Sequence, residues 1–152
     1  MRIAIAADHA GFDIKEVVAT HLRALGHDVL DFGVNTAAVP SDYPDAAAAV
    51  AQAIRTGAAE RGVLVCGSGV GVSVAANKFP GIRAAICHDT YSAHQGVEHD
   101  QMNVLVLGGR IVGAALAREL VDAFLAAEFS GEERHVRRVD KMLAIEREHI
   151  TG

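Results

Sequence analysis

Short apolar runs alternate along the chain with longer stretches of helical spacing. Arg2 to Ala7 is a brief apolar run that stops at Asp8-His9-Ala10-Gly11 and predicts a strand. Ile14, Val17, Val18, Leu22 and Leu25 follow helical spacing, and Gly26 stands where a helix closes. Val29 to Phe32 predicts a second strand, followed by a loop through Asn35 to Asp42. Ser41 or Asp42 can cap a helix that has Pro44 in its first turn and runs through the alanines to Gly57. Gly62 to Cys66 predicts a third strand, apolar on both faces, and the glycine-rich Gly67-Ser68-Gly69-Val70-Gly71 leads into a short helix ending near Lys78. Ile82 to Cys87 and Asn103 to Leu107 predict the fourth and fifth strands, with a helix over Thr90 to Val97 between them. A helix from about Gly113 to Ala127 and a highly charged one from about Glu132 to His149 close the pattern.

Such alternation predicts an α/β fold, a parallel sheet with helices on both faces. No repeat, low-complexity tract or linker divides residues 1–152, so one domain is expected. Ligands of open parallel sheets bind beyond the carboxyl ends of the strands. Asp8 and His9 follow the first strand, Cys66 to Gly71 the third, His88 and Asp89 the fourth, and Arg110 the fifth. The pattern therefore predicts one pocket at one end of the sheet.

Composition narrows the partners. The chain has 152 residues, 51% of them hydrophobic and 22% charged, with a formal net charge of -5. That apolar fraction excludes a disordered chain, and mild acidity argues against nucleic acid or an anionic membrane as the main partner. Aromatics are only 5% and tryptophan is absent, so small and aliphatic side chains must fill the interior. No apolar run reaches the roughly 20 residues of a membrane span. The opening apolar run is cut at Asp8, too soon for a signal peptide, and two cysteines make no disulfide framework. A cytoplasmic protein is expected.

Cys66 to Gly71 carries the most chemistry. Glycines in a strand-to-helix turn let backbone N–H groups converge on an anion, and a cysteine there can serve as base or nucleophile. The residues alone also admit a tight structural turn or a dinucleotide site, with Asp89 about 20 residues on as the ribose acid. Val72, however, stands where the GxGxxG pattern needs its third glycine. His88, His94 and His99 with Asp89 form none of the spacings of a metal site. His99 lies in a polar break, Glu98-His99-Asp100-Gln101, where a loop histidine can donate a proton. Arg134 and Arg138 are four apart and share a helix face, fit to clamp a phosphate or simply to face solvent beside Glu132, Glu133, Glu146 and Glu148.

Together these residues resemble the type B ribose-5-phosphate isomerases, with galactose-6-phosphate isomerase subunits as near relatives. The resemblance rests on Asp8-His9-Ala10-Gly11-Phe12, Asp42-Tyr43-Pro44, the run from Cys66 to Ala84, His99, Asn103-Val104-Leu105, Gly108-Gly109-Arg110, and Arg134-His135 with Arg138. It implies a Rossmann-like three-layer αβα sandwich with a five-stranded parallel sheet. It also implies a homodimer, sometimes paired into a tetramer, with active sites at the subunit boundary. The C-terminal helix (about 132–149) would serve the phosphate site and the dimer. The implied reaction interconverts ribose 5-phosphate and ribulose 5-phosphate without metal or nucleotide cofactor. Cys66 would be the base, the N–H groups of Gly67, Ser68, Gly69, Val70 and Gly71 would hold enediolate oxygens, and Ser68 would relay a proton. His99 would open the sugar ring, Asp8 would orient hydroxyls, and Tyr43 would line the pocket. His9, Arg110, Arg134 and Arg138 would hold the phosphate. Val72 stands where another branch carries a glutamate base, which places the chain in the cysteine branch. Asp100 departs from the usual asparagine and raises the prospect of a different aldose phosphate.

Overall fold

The structure, a computed structural model, describes residues 1–150. Five parallel strands form its sheet: β1 (Arg2–Ala7), β2 (Asp28–Asp31), β3 (Arg61–Cys66), β4 (Ala84–Ile86) and β5 (Val104–Gly108), in the order β2-β1-β3-β5-β4. Six α-helices accompany them: α1 (Phe12–Ala24), α2 (Tyr43–Arg55), α3 (Val70–Ala76), α4 (Thr90–Asp100), α5 (Ala114–Ala126) and α6 (Glu133–His149). The expected α/β Rossmann-like sandwich is therefore the fold of this chain. Among the described residues no helix is long and apolar enough to cross a membrane.

The period of two in each buried strand divides the interior into two layers. Ile3, Ile5, Val63 and Val65 turn to one face, where Ile14, Val18 and Leu22 of α1 and Leu120, Val121 and Phe124 of α5 cover them. Ala4, Ala6, Leu64, Val104 and Val106 turn to the other, under Ala47, Val50 and Ala51 of α2 and Val72 and Ala76 of α3. Small residues let the helices sit close. At Gly62 an added Cβ would fall 2.4 Å from Val50 Cγ1.

Lys15 is fully buried, yet its ammonium bonds both carboxylate oxygens of Asp31 at 2.8 and 3.0 Å and Glu16 at 2.7 Å. Asp31 also accepts from the Gly33 N–H, and Gly33 and Val34 exchange backbone bonds with Ala7. That network ties α1 and the edge strand β2 to the end of β1, immediately before Asp8.

Two departures from the sequence pattern matter, the other boundaries shifting by only one or two residues. The fourth strand is only Ala84–Ile86, because Arg83 is held through its N–H by the Asn103 side chain and Asn77 bonds both backbone groups of Ala84. The helix predicted to end at Val97 continues through Asp100. His99 is thus in the last helical turn, not in a loop. Gln101 stops the helix at φ 54, with its N–H on Val97 and the Met102 N–H on the Gly96 carbonyl.

Candidate functional site

Strand order reverses between β1 and β3, and a ligand cleft is expected at such a point. One is present there, about 470 Å³ in volume and lined by Asp8, His9, Ala10, Tyr43, Cys66, Gly67, Ser68, Gly71, Arg110 and Ile111. Asp8 begins a single 3-10 turn (His9–Gly11), its Oδ1 accepting from the Gly11 N–H at 3.0 Å. Gly11 has no alternative there, since a Cβ would lie 2.4 Å from the Val65 carbonyl oxygen. Tyr43 opens α2, and its ring lies 2.8 to 2.9 Å from where a Cβ on Gly71 would fall. Arg110 follows β5 and donates its backbone N–H to the Gly67 carbonyl at 2.9 Å.

Cys66 ends β3 and opens onto this cleft. Gly69, at φ 85, turns its N–H back to Cys66 Sγ at 3.2 Å, where the charge of a thiolate would sit. Val70 donates to Ser68 Oγ at 3.2 Å. The first bond within α3 runs from Ser73 N–H to the Gly69 carbonyl, so the Gly71 N–H has no acceptor within the helix. The loop thus places a sulfur, a hydroxyl and the Gly71 N–H within one turn. Among the described residues no group of three His, Cys, Asp or Glu side chains gathers as a metal site requires.

The remaining predicted residues stand elsewhere. The helix α4 leaves the carboxyl end of β4 and returns to the amino end of β5, so His99 and Asp100 lie at the end of the sheet opposite Cys66. Arg134 and Arg138 are there too. Ser130 donates its N–H to the Glu98 carbonyl, and the His135 ring stacks on His99 with centroids 4.0 Å apart and planes at 24°. Arg134 pairs with Glu132 at 3.1 Å. Asp100 is exposed, on the rim of a second cavity between α4, β4 and α6. His88 and Asp89 do not line the cleft either: His88 Nε2 accepts from the Gly108 N–H, and Asp89 caps α4.

His135, part of the family resemblance but given no role by the sequence, belongs to this second cluster. His135 is 1% exposed and bonded to Ser130 Oγ. Burial first, then the positive charges of His99 and Arg134, hold its pKa below the usual histidine value. His99 Nδ1 meets the Gln95 amide at 2.9 Å and its Nε2 lies 3.4 Å from Glu98. Cys87 is the opposite of Cys66: it packs on Met102, and burial followed by Asp89 pushes its thiol up to about 11.

The Ribose/Galactose Isomerase family model matches residues 3–142. The chain is 45% identical to "Ribose-5-phosphate isomerase B" of Escherichia coli over 95% of its own length and 96% of that protein's. It is 43% identical to "D-erythrulose-4-phosphate isomerase" of Pectobacterium atrosepticum, with 86% of each chain covered. The solved structure of Clostridium thermocellum ribose-5-phosphate isomerase B superposes with a TM-score of 0.95 at 45% identity, covering 98% of this chain and 99% of that one. With a family model matched over most of its length and relatives this similar, the chain belongs to the ribose/galactose isomerase family.

Proposed function

We propose that this family member interconverts ribose 5-phosphate and ribulose 5-phosphate, with Cys66 as the base. The observation that carries the reading is the Cys66 sulfur, held by the Gly69 N–H in a cleft that also presents Asp8, His9, Ser68 and Arg110. The weakly acidic C2 proton demands more than a base. Most of the barrier reduction must come from donors aimed at the developing oxyanion, each worth about 3 kcal/mol.

The reaction balances with these groups and solvent water. His99 protonates the ring oxygen, a water takes the O1 proton, and the aldehyde is released. The Cys66 thiolate takes the C2 proton, and the electrons move to O1, where loop N–H groups meet the enediolate. Ser68 relays the proton from O2 to O1. The Cys66 thiol then returns its proton to C1, leaving the ketose. Asp8 orients hydroxyls, Tyr43 walls the pocket, and His9 and Arg110 contact the phosphate. Binding energy from the unreactive phosphate positions C1 and C2.

His99 cannot take its part within one chain. An 11-residue helix spans roughly 16 Å, and it carries His99 away from Cys66. A second copy of the chain, bringing His99, Asp100, Arg134 and Arg138 to the cleft, completes the site. Ile111 at the cleft and Val70 and Val74 on α3 are each more than half exposed, which is apolar surface suited to such a partner. The active unit in this reading is a homodimer.

Asp100 favours a second reading of the substrate. A carboxylate accepts hydrogen bonds and cannot donate them, unlike the asparagine usual there. Another aldose phosphate, such as the tetrose phosphate implied by the name of the Pectobacterium relative, would use that acceptor on a sugar hydroxyl. Turnover of a panel of aldose phosphates, with neither metal nor nucleotide added, tests both readings. Binding without turnover would mark a sugar-phosphate sensor and end the enzyme proposal.

A further inference from the structure

His9 reaches the cleft with one ring nitrogen already committed. Its Nδ1 accepts from the backbone N–H of Ser41 at 3.1 Å, and its own backbone N–H donates to Ser41 Oγ at 2.9 Å. A backbone amide nitrogen offers a proton and nothing else, so Nδ1 must be the unprotonated nitrogen of the ring. The proton of the neutral imidazole is then on Nε2. A doubly protonated ring would set Nδ1–H against the Ser41 N–H, two donors with no acceptor between them.

The paired bonds join residues 32 positions apart. They fasten the loop after β2 to the 3-10 turn after β1. Two residues beyond Ser41, the same stretch delivers the Tyr43 ring against Gly71. The sequence pattern offered Ser41 or Asp42 as the helix cap; Asp42 occupies that position, and the Ser41 hydroxyl is turned to His9.

We propose that Ser41 is a positioning residue whose reciprocal hydrogen bonds hold His9 as the neutral Nε2–H tautomer. His9 then meets the sugar phosphate as an uncharged hydrogen-bond donor, and Arg110 supplies the positive charge on that side of the cleft. The tautomer follows from the Ser41 contacts, while its use on a sugar phosphate rests on the isomerase reading above. His9 in this arrangement donates to an oxygen of the substrate and takes no proton from it.

The experiment has a spectroscopic arm and a kinetic arm. Full-length protein labelled with 15N gives two-bond nitrogen–proton spectra of its histidines at neutral pH, with His9 assigned by its absence in His9→Gln. A protonated Nε2 and a bare Nδ1 are expected, with or without added inorganic phosphate. A proton on Nδ1, or the averaged pattern of a ring exchanging between tautomers, overturns the proposal. In the kinetic arm, Ser41→Ala should raise KM for ribose 5-phosphate about three- to tenfold while kcat changes less than about twofold, as befits one lost hydrogen bond outside the reacting atoms. Ser41→Thr should restore KM. An unchanged KM in Ser41→Ala overturns the positioning role. The spectrum is read without turnover, so a chain that shows the Nε2–H ring yet isomerises no aldose phosphate would refute the isomerase reading and not the Ser41 clamp.

Discussion

Gly69→Ala separates the chemistry of the Cys66 loop from its folding. Gly69 adopts φ 85, where alanine is strained by about 1–2 kcal/mol. Its added Cβ would lie 3.1 Å from Val106 Cγ1 and 3.3 Å from the Leu107 carbonyl carbon and oxygen. Those atoms belong to β5, buried between β3 and β4, so the loop must yield rather than the strand. Overpacking of this kind adds about 1–3 kcal/mol. As the loop moves, the N–H that sits 3.2 Å from Cys66 Sγ loses its aim. Loss of such a donor lowers kcat by about 10²–10³. Gly57→Ala is the matched reference, because Gly57 has φ 78 with nothing within 4 Å of its Cβ position. It should lower Tm by about 2–8 °C and leave turnover intact. Gly69→Ala should melt lower still and lose turnover while the folded fraction at the assay temperature remains high. Thermal melts and kcat for ribose 5-phosphate on the two variants decide the matter. A Gly69→Ala protein with kcat within threefold of the parent would refute the role assigned to that N–H.

Three further expectations follow from the same geometry. Iodoacetamide at neutral pH should label Cys66 and spare Cys87, whose thiol is held at about 11, and sugar phosphate should slow the labelling; peptide mapping that finds the label on Cys87 would contradict this. Cys66→Ala and His99→Asn should each be inactive alone, but mixed and re-formed dimers should regain about a quarter of the parent activity, since half the dimers then carry one intact site; no recovery despite subunit exchange would refute the shared site. Asp100→Asn should improve kcat/KM for ribose 5-phosphate relative to a tetrose phosphate by roughly tenfold or more, the worth of re-pairing one mismatched polar group; an unchanged ranking would show that Asp100 does not read the sugar.

The layers were legible because burial writes itself into periodicity. Ile3 and Ile5 alternating with Ala4 and Ala6, and the uninterrupted apolar run of β3, describe strands covered on both faces. The cleft at the switch point was legible for the same reason, since Asp8 and Cys66 stand where such runs end. The end of α4 was not. A helix that stops at a left-handed residue usually announces it with glycine or asparagine, and here the residue is Gln101. The polar run Glu98-His99-Asp100-Gln101 then read as a loop and hid the fact that His99 is carried to the far end of the sheet. The bonds between His9 and Ser41, and the stack of His99 on His135, join segments far apart in sequence and leave no local trace. Conversely, Ser41 and Asp42 were equal candidates for the cap of α2, because both residue types commonly serve there, and only the fold gives that place to Asp42.

The most direct test of the central claim is proton exchange in deuterated water, followed by NMR of the recovered sugars. Ribose 5-phosphate incubated with the protein, without metal or nucleotide, should yield ribulose 5-phosphate carrying deuterium at C1, and recovered ribose 5-phosphate should carry it at C2. Cys66→Ala should give neither ketose nor label while still binding the sugar phosphate. Ketose formed by Cys66→Ala at a rate near that of the parent would contradict the assignment of Cys66 as the base.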